Sequence, residues 1–319
     1  MPRTAILLVV AALLPGAAFS QAYPSKPVRL IAPYPPGGTS DTVCRLVAQK
    51  VSDAMGRPIV IENRPGAAGN VGHEVAAKSP PDGYTLILTN AAAMVTNQFL
   101  YKKLNFNPHA DFAPISLVAT AAPMLVVHPS LPVKTVKELV GLAKARPGQL
   151  NFGSGGVGTT SHIIGEVFQS ATGVKMVHVP YKGSGESQAA TLAGHVDLTF
   201  FAFSTALRHV KAGKLRAVGV GGAKRNPQAP DVPSISEVLP GYSAASWTGL
   251  FAPPNTPAPV VDTLRGAMVE ILKMPDVQKR LVDAGDEPAA MTPGEVATFL
   301  REERQRWEKV IRTAGITAQ

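Results

Sequence analysis

The chain has 319 residues, of which 45% are hydrophobic, a formal charge of +9 and a single cysteine. One cysteine excludes an internal disulfide, so stability must come from packing. The 31 Lys and Arg residues are scattered, with no run denser than Lys102-Lys103 and few aromatics between them. That pattern argues against a nucleic-acid interface and for a basic surface that pulls mildly on anions.

The first residues read MPRTAILLVVAALLPGAAFSQAYP: basic Arg3, an apolar run from Ala5 to Leu14, a Pro15-Gly16 break, then small residues. This is the anatomy of a cleaved secretory signal occupying residues 1–22, with cuts after Ser20 or Ala22 both compatible. The run is too short to span a bilayer, and no later stretch approaches about 20 uninterrupted apolar residues. No cysteine follows either cut, which disfavours a lipid anchor. At about 150 residues per domain, the rest of the chain fits two domains.

From Val28 onward, apolar strand-like runs alternate with amphipathic helical stretches, which predicts an α/β fold. VRLIAPY (28–34), a helix over 41–55, IVIEN (59–63), a helix over 70–78 and YTLILTN (84–90) form a first βαβαβ set with parallel pairing. Cys44 falls on the apolar side of the first of those helices, as a structural thiol. PMLVVHP (123–129) opens a second set. Thr135 and Glu138 make a capping box for a helix that stops at Arg146-Pro147-Gly148. Strands over 150–154, 176–181, 197–201 and 215–221 follow, with helices over 160–171 and 186–193. PQAPDVPS (227–234) is a Pro-rich connection, and SWTGLFAPP (246–254) a strand that leaves the second set. Thr292-Pro293-Gly294-Glu295 opens a last helix with Val296, Phe299, Leu300, Trp307, Val310 and Ile311 on one face. The expected division is lobe 1 over 23–122 plus 228–319 and lobe 2 over 123–227. Two crossings make a natural hinge.

Two loops carry the chemistry. PYPPGGTSD (33–41) joins a strand to a helix N-terminus, where free N–H groups at the carboxyl end of a sheet favour an anion. Asp41 there reads as a cap or clamp, since a carboxylate facing an anion would repel it. NFGSGGVGTTSH (151–162) repeats the arrangement, with Ser154, Thr159 and Thr160 adding hydroxyls. Its Gly153-x-Gly155-x-x-Gly158 matches the dinucleotide fingerprint in form, but the acid required at the end of the next strand is replaced by Pro180-Tyr181-Lys182. Thr89-Asn90 ends a strand at the same sheet edge, Tyr34 could wall the site, and Asp197 could accept from a ligand. ENRPGAAGNVG (62–72) has no hydroxyls of its own and reads as structural. Ser154, His162 and Asp197 supply one residue of each triad type, without the G-x-S-x-G elbow of a hydrolase. His73-Glu74 lacks the second histidine of H-E-x-x-H, because position 77 is Ala77.

The strings YPSKPVRLIAPYPPGGTSDTVCRLVA, PIVIENRPGAAGNVGHEVAAKSPPDGYTLIL, FGSGGVGTTSH, VPYKGSG and AGHVDLTF occur in this order across the chain. Together they resemble the Bug family, extracytoplasmic solute receptors of tripartite tricarboxylate transporters. The resemblance implies a two-lobed periplasmic-binding-protein type II fold that closes on a small carboxylate ligand. No metal or cofactor is implied, and the protein is expected as a periplasmic monomer serving the membrane subunits of a transporter. Carried onto this sequence, the ligand positions are Tyr34, Gly38, Thr39, Thr89 and Asn90 in lobe 1, with Ser154, Gly158, Thr159 and Asp197 in lobe 2. A secreted enzyme at Gly153–Gly158 or Ser154, or a binding module feeding a sensor, remains the alternative.

Overall fold

The computed structural model describes residues 23–37 and 39–314, so the expected signal segment, 1–22, lies outside the described residues. The first sheet is founded on β1 (Val28–Ala32), followed by α1 (Thr39–Met55), β2 (Ile59–Asn63), α2 (Asn70–Ala77) and β3 (Thr85–Asn90). β1 lies between β2 and β3 and is parallel to both, with Leu30 opposite Ile61 and Leu86. Helical crossovers cover such a sheet on both faces, which is why β1 and β3 read as continuous apolar runs. Leu30, Ile31, Leu86, Ile87 and Leu88 are all fully buried. Cys44 is buried with Val43 and Val47 on the inner side of α1.

A π-helical turn (Ala92–Thr96) and α3 (Asn97–Leu100) lead to β4 (Ala113–Ala121), which delivers the chain to a second sheet. Its elements are β5 (Met124–Val127), α4 (Val136–Ala145), β6 (Asn151–Ser154), α5 (Thr160–Thr172), β7 (Val177–Pro180), α6 (Ser184–Leu192), β8 (Leu198–Phe201), α7 (Phe203–Lys211) and β9 (Arg216–Val220). The strand order is β7-β6-β8-β5-β9. Thr135 caps α4 as its spacing predicts, its hydroxyl accepting from the Glu138 N–H at 3.1 Å.

β10 (Ser246–Ala252) then returns to the first sheet and runs antiparallel between β3 and β4. α8 (Ala258–Lys273), α9 (Pro275–Asp283), β11 (Asp286–Pro288) and α10 (Pro293–Ala314) complete the chain, giving the first sheet the order β11-β4-β10-β3-β1-β2. α10 packs on β4 and the π-helical turn of lobe 1 and on α5 of lobe 2, so the final helix is seated across both lobes.

The return to lobe 1 was expected at 227/228, and several contacts of the residues that follow are with lobe 2. Ile235 packs over Gly219, Tyr242 meets Phe168 edge-on at 6.3 Å, and the Ala244 N–H donates to the Gly221 carbonyl at 2.8 Å. The chain rejoins the first sheet at Ser246, where β10 pairs with β4. After the prolines of 227–233, the apolar Ile235, Tyr242 and Ala244 are taken into a core cluster that runs through both lobes.

Candidate ligand-binding cleft

The carboxyl ends of β1 and β3 and those of β6 and β7 face one another, and their loops touch. A methyl group added at Gly158 would lie 3.1 Å from the Tyr101 ring and 3.5 Å from the Ala68 side chain, both in lobe 1. The Tyr101 hydroxyl donates weakly to the Val157 carbonyl across the same junction, at 3.4 Å. Behind the loops, the π-helical turn and α5 leave a cavity of about 10 Å³, room for one water at most.

On the lobe 1 side, Asp41 holds the loop after β1. Its Oδ2 accepts the Gly37 N–H at 3.0 Å, and its Oδ1 accepts Asn63 Nδ2 at 3.1 Å. Arg45 adds a charge-assisted bond at 2.8 Å. Burial raises the Asp41 carboxyl, but Arg45, Gly37 and Asn63 outweigh it and hold the group below its usual range. Gly38 and the side chain of Thr39 lie outside the described residues.

Beside this loop, the Tyr34 hydroxyl donates to Asn90 Oδ1 at 2.6 Å, and the Ala92 N–H donates to the same oxygen at 3.0 Å. Two donors on Oδ1 fix which way the amide points, leaving Asn90 Nδ2 turned from them with its own hydrogens to give. Thr89 is fully buried behind the pair, where its side chain engages the Tyr34 hydroxyl.

The Gly66–Gly69 turn, read from sequence as structural, lies in this wall. Gly69 rests on the Tyr34 ring, an added methyl standing 3.1 Å from the hydroxyl. Ala67 and Ala68 hold φ of 47° and 52°, a conformation that L side chains disfavour by about 1 to 2 kcal/mol each. Asn97 Nδ2 donates to the Ala68 carbonyl at 3.3 Å, and His73 Nδ1 meets the Gly69 carbonyl at 2.8 Å, which over-determines the turn. Backbone strain held this way clusters at functional sites.

On the lobe 2 side, the glycine amides are already engaged. Gly155 N–H donates to Ser161 Oγ, Gly156 N–H to Ser154 Oγ and Gly158 N–H to His162 Nδ1, each at 3.1 Å. Thr159 stands at the N-cap of α5 without capping it, because its hydroxyl turns back to the Gly156 carbonyl at 2.7 Å. The first amides of α5, at Thr160 and Ser161, have no acceptor within the helix. With the glycine amides taken, these amides and the helix dipole are what this loop could offer an anion.

The structure places Gly158 at the junction against Tyr101 and Ala68, Tyr34 and Asn90 side by side in the lobe 1 wall, and Thr159 at the start of α5. It sets Thr89 and Ser154 behind them, both fully buried. Asp197 stands elsewhere. It precedes β8 at the amino ends of the parallel strands, where Oδ2 accepts the Asn151 N–H at 2.7 Å, while the cleft loops leave the carboxyl ends. Ala68, Asn97, Tyr101 and His178 are the neighbours the sequence did not reveal. Ser154 Oγ lies 2.6 Å from His178 Nε2, a nucleophile and base pairing in form. That hydroxyl is enclosed between the N–H and carbonyl of Gly156, with no exposed surface for a substrate. The Cys44 thiol is pushed up to about 12, first by burial and then by Asp41, which makes it inert. Among the described residues no group of three or more His, Cys, Asp or Glu is placed to hold a metal.

Two α/β lobes joined by crossing segments, meeting at the carboxyl ends of their strands, define the class of two-lobed periplasmic solute-binding proteins. Residues 43–316 match the tripartite tricarboxylate transporter family receptor model. The chain is 33% identical over 295 residues to protein BugT of Bordetella pertussis, covering 92% of this chain and 90% of BugT. It belongs to this family of transporter receptors. It is similar to the solved structure of R. palustris Rpa4515 with adipate, at 36% identity and TM-score 0.89 over 93% of this chain and 100% of that one. It is also similar to MatC (Rpa3494) from Rhodopseudomonas palustris with bound malate, at 32% identity and TM-score 0.84 over 91% and 100%.

Proposed function

We propose that this receptor captures a small aliphatic carboxylate in the periplasm and delivers it to the membrane subunits of a tripartite transporter. The observation that supports the proposal is a junction at which Gly158 meets Tyr101 and Ala68, with an Asn90 amide oriented by Tyr34 and Ala92 in one lobe and the uncapped N-terminus of α5 in the other. One offers side-chain N–H donors, the other backbone donors and a favourable dipole, and both suit a carboxylate oxygen. Adipate and malate in the two related structures are of this chemical class. The expected signal segment accounts for export, and binding without a covalent step suffices for delivery. A ligand that bridges the lobes favours their closed arrangement by its differential affinity, and the membrane subunits then read that arrangement.

Calorimetry of the mature protein with adipate, malate and a panel of other small carboxylates tests this. One of them binding at one-to-one stoichiometry, unconsumed, is the expected result. At 100 times its dissociation constant it raises unfolding stability by about 2.7 kcal/mol. No binding across the panel would sink the proposal. The second reading, a hydrolase at Ser154 and His178, has the pairing but an enclosed hydroxyl against it, and ester turnover abolished by Ser154→Ala would establish it instead.

A further inference from the structure

The cleft junction depends on a buried histidine. Gly158 carries the contact between lobes, pressed against Tyr101 and Ala68 with φ at +79°, a backbone state for which glycine is the natural occupant. Its N–H donates to His162 Nδ1 at 3.1 Å. His162 is 6% exposed, stacks on His178 with ring centroids 4.0 Å apart, and turns Nε2 toward Glu166 Oε1 at 3.8 Å. To accept at Nδ1 the ring must carry its proton at Nε2. Burial, then the neighbouring His178, push its pKa down to about 3, which keeps that acceptor available at neutral pH.

We infer that His162 is the positioning residue of the cleft: by accepting the Gly158 amide it sets the turn on which lobe 1 closes, so carboxylate affinity depends on an imidazole behind the binding surface. The inference rests on the carboxylate reading above for its affinity readout, but the hydrogen bond is testable without a ligand. Two variants separate acceptor from ring. His162→Phe keeps an aromatic ring to stack on His178 and removes the acceptor. His162→Asn gives up the stack and places Oδ1 near the position of Nδ1.

With adipate and malate as probes in calorimetry of the mature chain, His162→Phe should weaken whichever binds by about tenfold, the loss of one buried hydrogen bond of about 1.4 kcal/mol. His162→Asn should stay within about threefold of the parent. The reverse order, or equal affinities, overturns the inference, because packing would then be what His162 supplies. Amide exchange at Gly158 supplies the ligand-free arm. Protection should be kept in His162→Asn and lost in His162→Phe, and equal protection in the two overturns the inference even if neither probe binds. Should His162→Phe fail to fold, imidazole nitrogen NMR of the parent protein decides: Nδ1 unprotonated at neutral pH upholds the inference, and Nδ1 protonated rejects it.

Discussion

The two walls of the proposed cleft offer a ligand different kinds of donor. Lobe 1 presents a side chain, Asn90, whose amide is oriented by Tyr34 and Ala92. Lobe 2 presents backbone, the uncapped start of α5, and turns its hydroxyls inward. Ser154 and Thr159 both bond to Gly156, and Ser161 takes the Gly155 amide. A side-chain donor is open to replacement and so carries selectivity. A helix terminus accepts any anion that fits, but only while its loop keeps its shape. Lobe 1 should therefore respond to side-chain chemistry and lobe 2 to backbone geometry.

Acid should expose the largest difference between the lobes. In lobe 2, His162 and His178 are held below 6.5, at about 3 and about 4, chiefly by burial. Below 6.5 the unfolded chain binds protons that the folded lobe refuses, so stability falls as pH drops from 6.5 toward 4, by something on the order of 3 kcal/mol. In lobe 1, burial depresses His73 to about 4 in the same way. There, however, burial also raises Asp286 to about 7, and the folded state keeps a proton that the unfolded chain gives up above about 3.8, so stability rises as pH falls. Asp286 opposes His73 in lobe 1, whereas in lobe 2 the two histidines add, opposed in part by Glu166, whose carboxyl is raised by burial. Hydrogen exchange between pH 6.5 and 4 should show amides of β6 and β7 losing more protection than those of β1 and β3. Equal losses would break the contrast.

Gly158→Val comes next. The new side chain would meet the Tyr101 ring at 3.1 Å from a backbone at φ +79°, and affinity should fall about 100-fold, or about 2.7 kcal/mol. Isothermal titration against the carboxylate found by the panel reads it, and retained affinity would mean that lobe 2 tolerates a changed turn. Asn90→Ala removes a donor to a charged group, for a loss of about 30-fold, or 2 kcal/mol. Tyr34→Phe leaves Asn90 in place and only frees its amide to turn, so about fivefold is expected. If Tyr34→Phe cost more than Asn90→Ala, the hydroxyl itself would be the contact.

Much of the scaffold was legible because its signals are local. β2 occupies the predicted residues 59–63, bracketed by Pro58 and Arg64-Pro65, and α4 begins at its capping box. β4 was hidden because APISLVATA contains a proline and sits where the chain crosses between lobes. α8 was passed over, although its buried Leu264, Met268, Ile271 and Leu272 recur at helical spacing. The proposed site was singled out where a loop joins a strand to a helix, at Tyr34, Asn90 and the Gly158-Thr159 turn, and the structure places Gly158 of that turn against lobe 1. It was opaque where the determinant is non-local. Phe152 faces His178 only through the parallel register of β6 and β7. The role of Gly66–Gly69 lies in its φ angles, which its side chains do not announce. Whether a glycine amide is free or taken depends on partners such as His162, four residues beyond Gly158 and around a helical turn.

Thr159→Val should have the smallest effect on binding, and it separates the two walls most cleanly. By its place before α5, Thr159 looks like a ligand donor, and the sequence offered it as one. Its hydroxyl instead donates to the Gly156 carbonyl at 2.7 Å and meets Ser161 Oγ at 3.3 Å. Valine preserves the branched shape and removes that bond, so the loss belongs to the loop: about 1 kcal/mol of stability. The α5 amides stay in place, and affinity should remain within about twofold, or 0.4 kcal/mol. A paired measurement of thermal midpoint and dissociation constant distinguishes the roles. A lower midpoint with unchanged affinity makes lobe 2 a backbone site, whereas an affinity loss comparable to that of Asn90→Ala would mean that both walls bind through side chains.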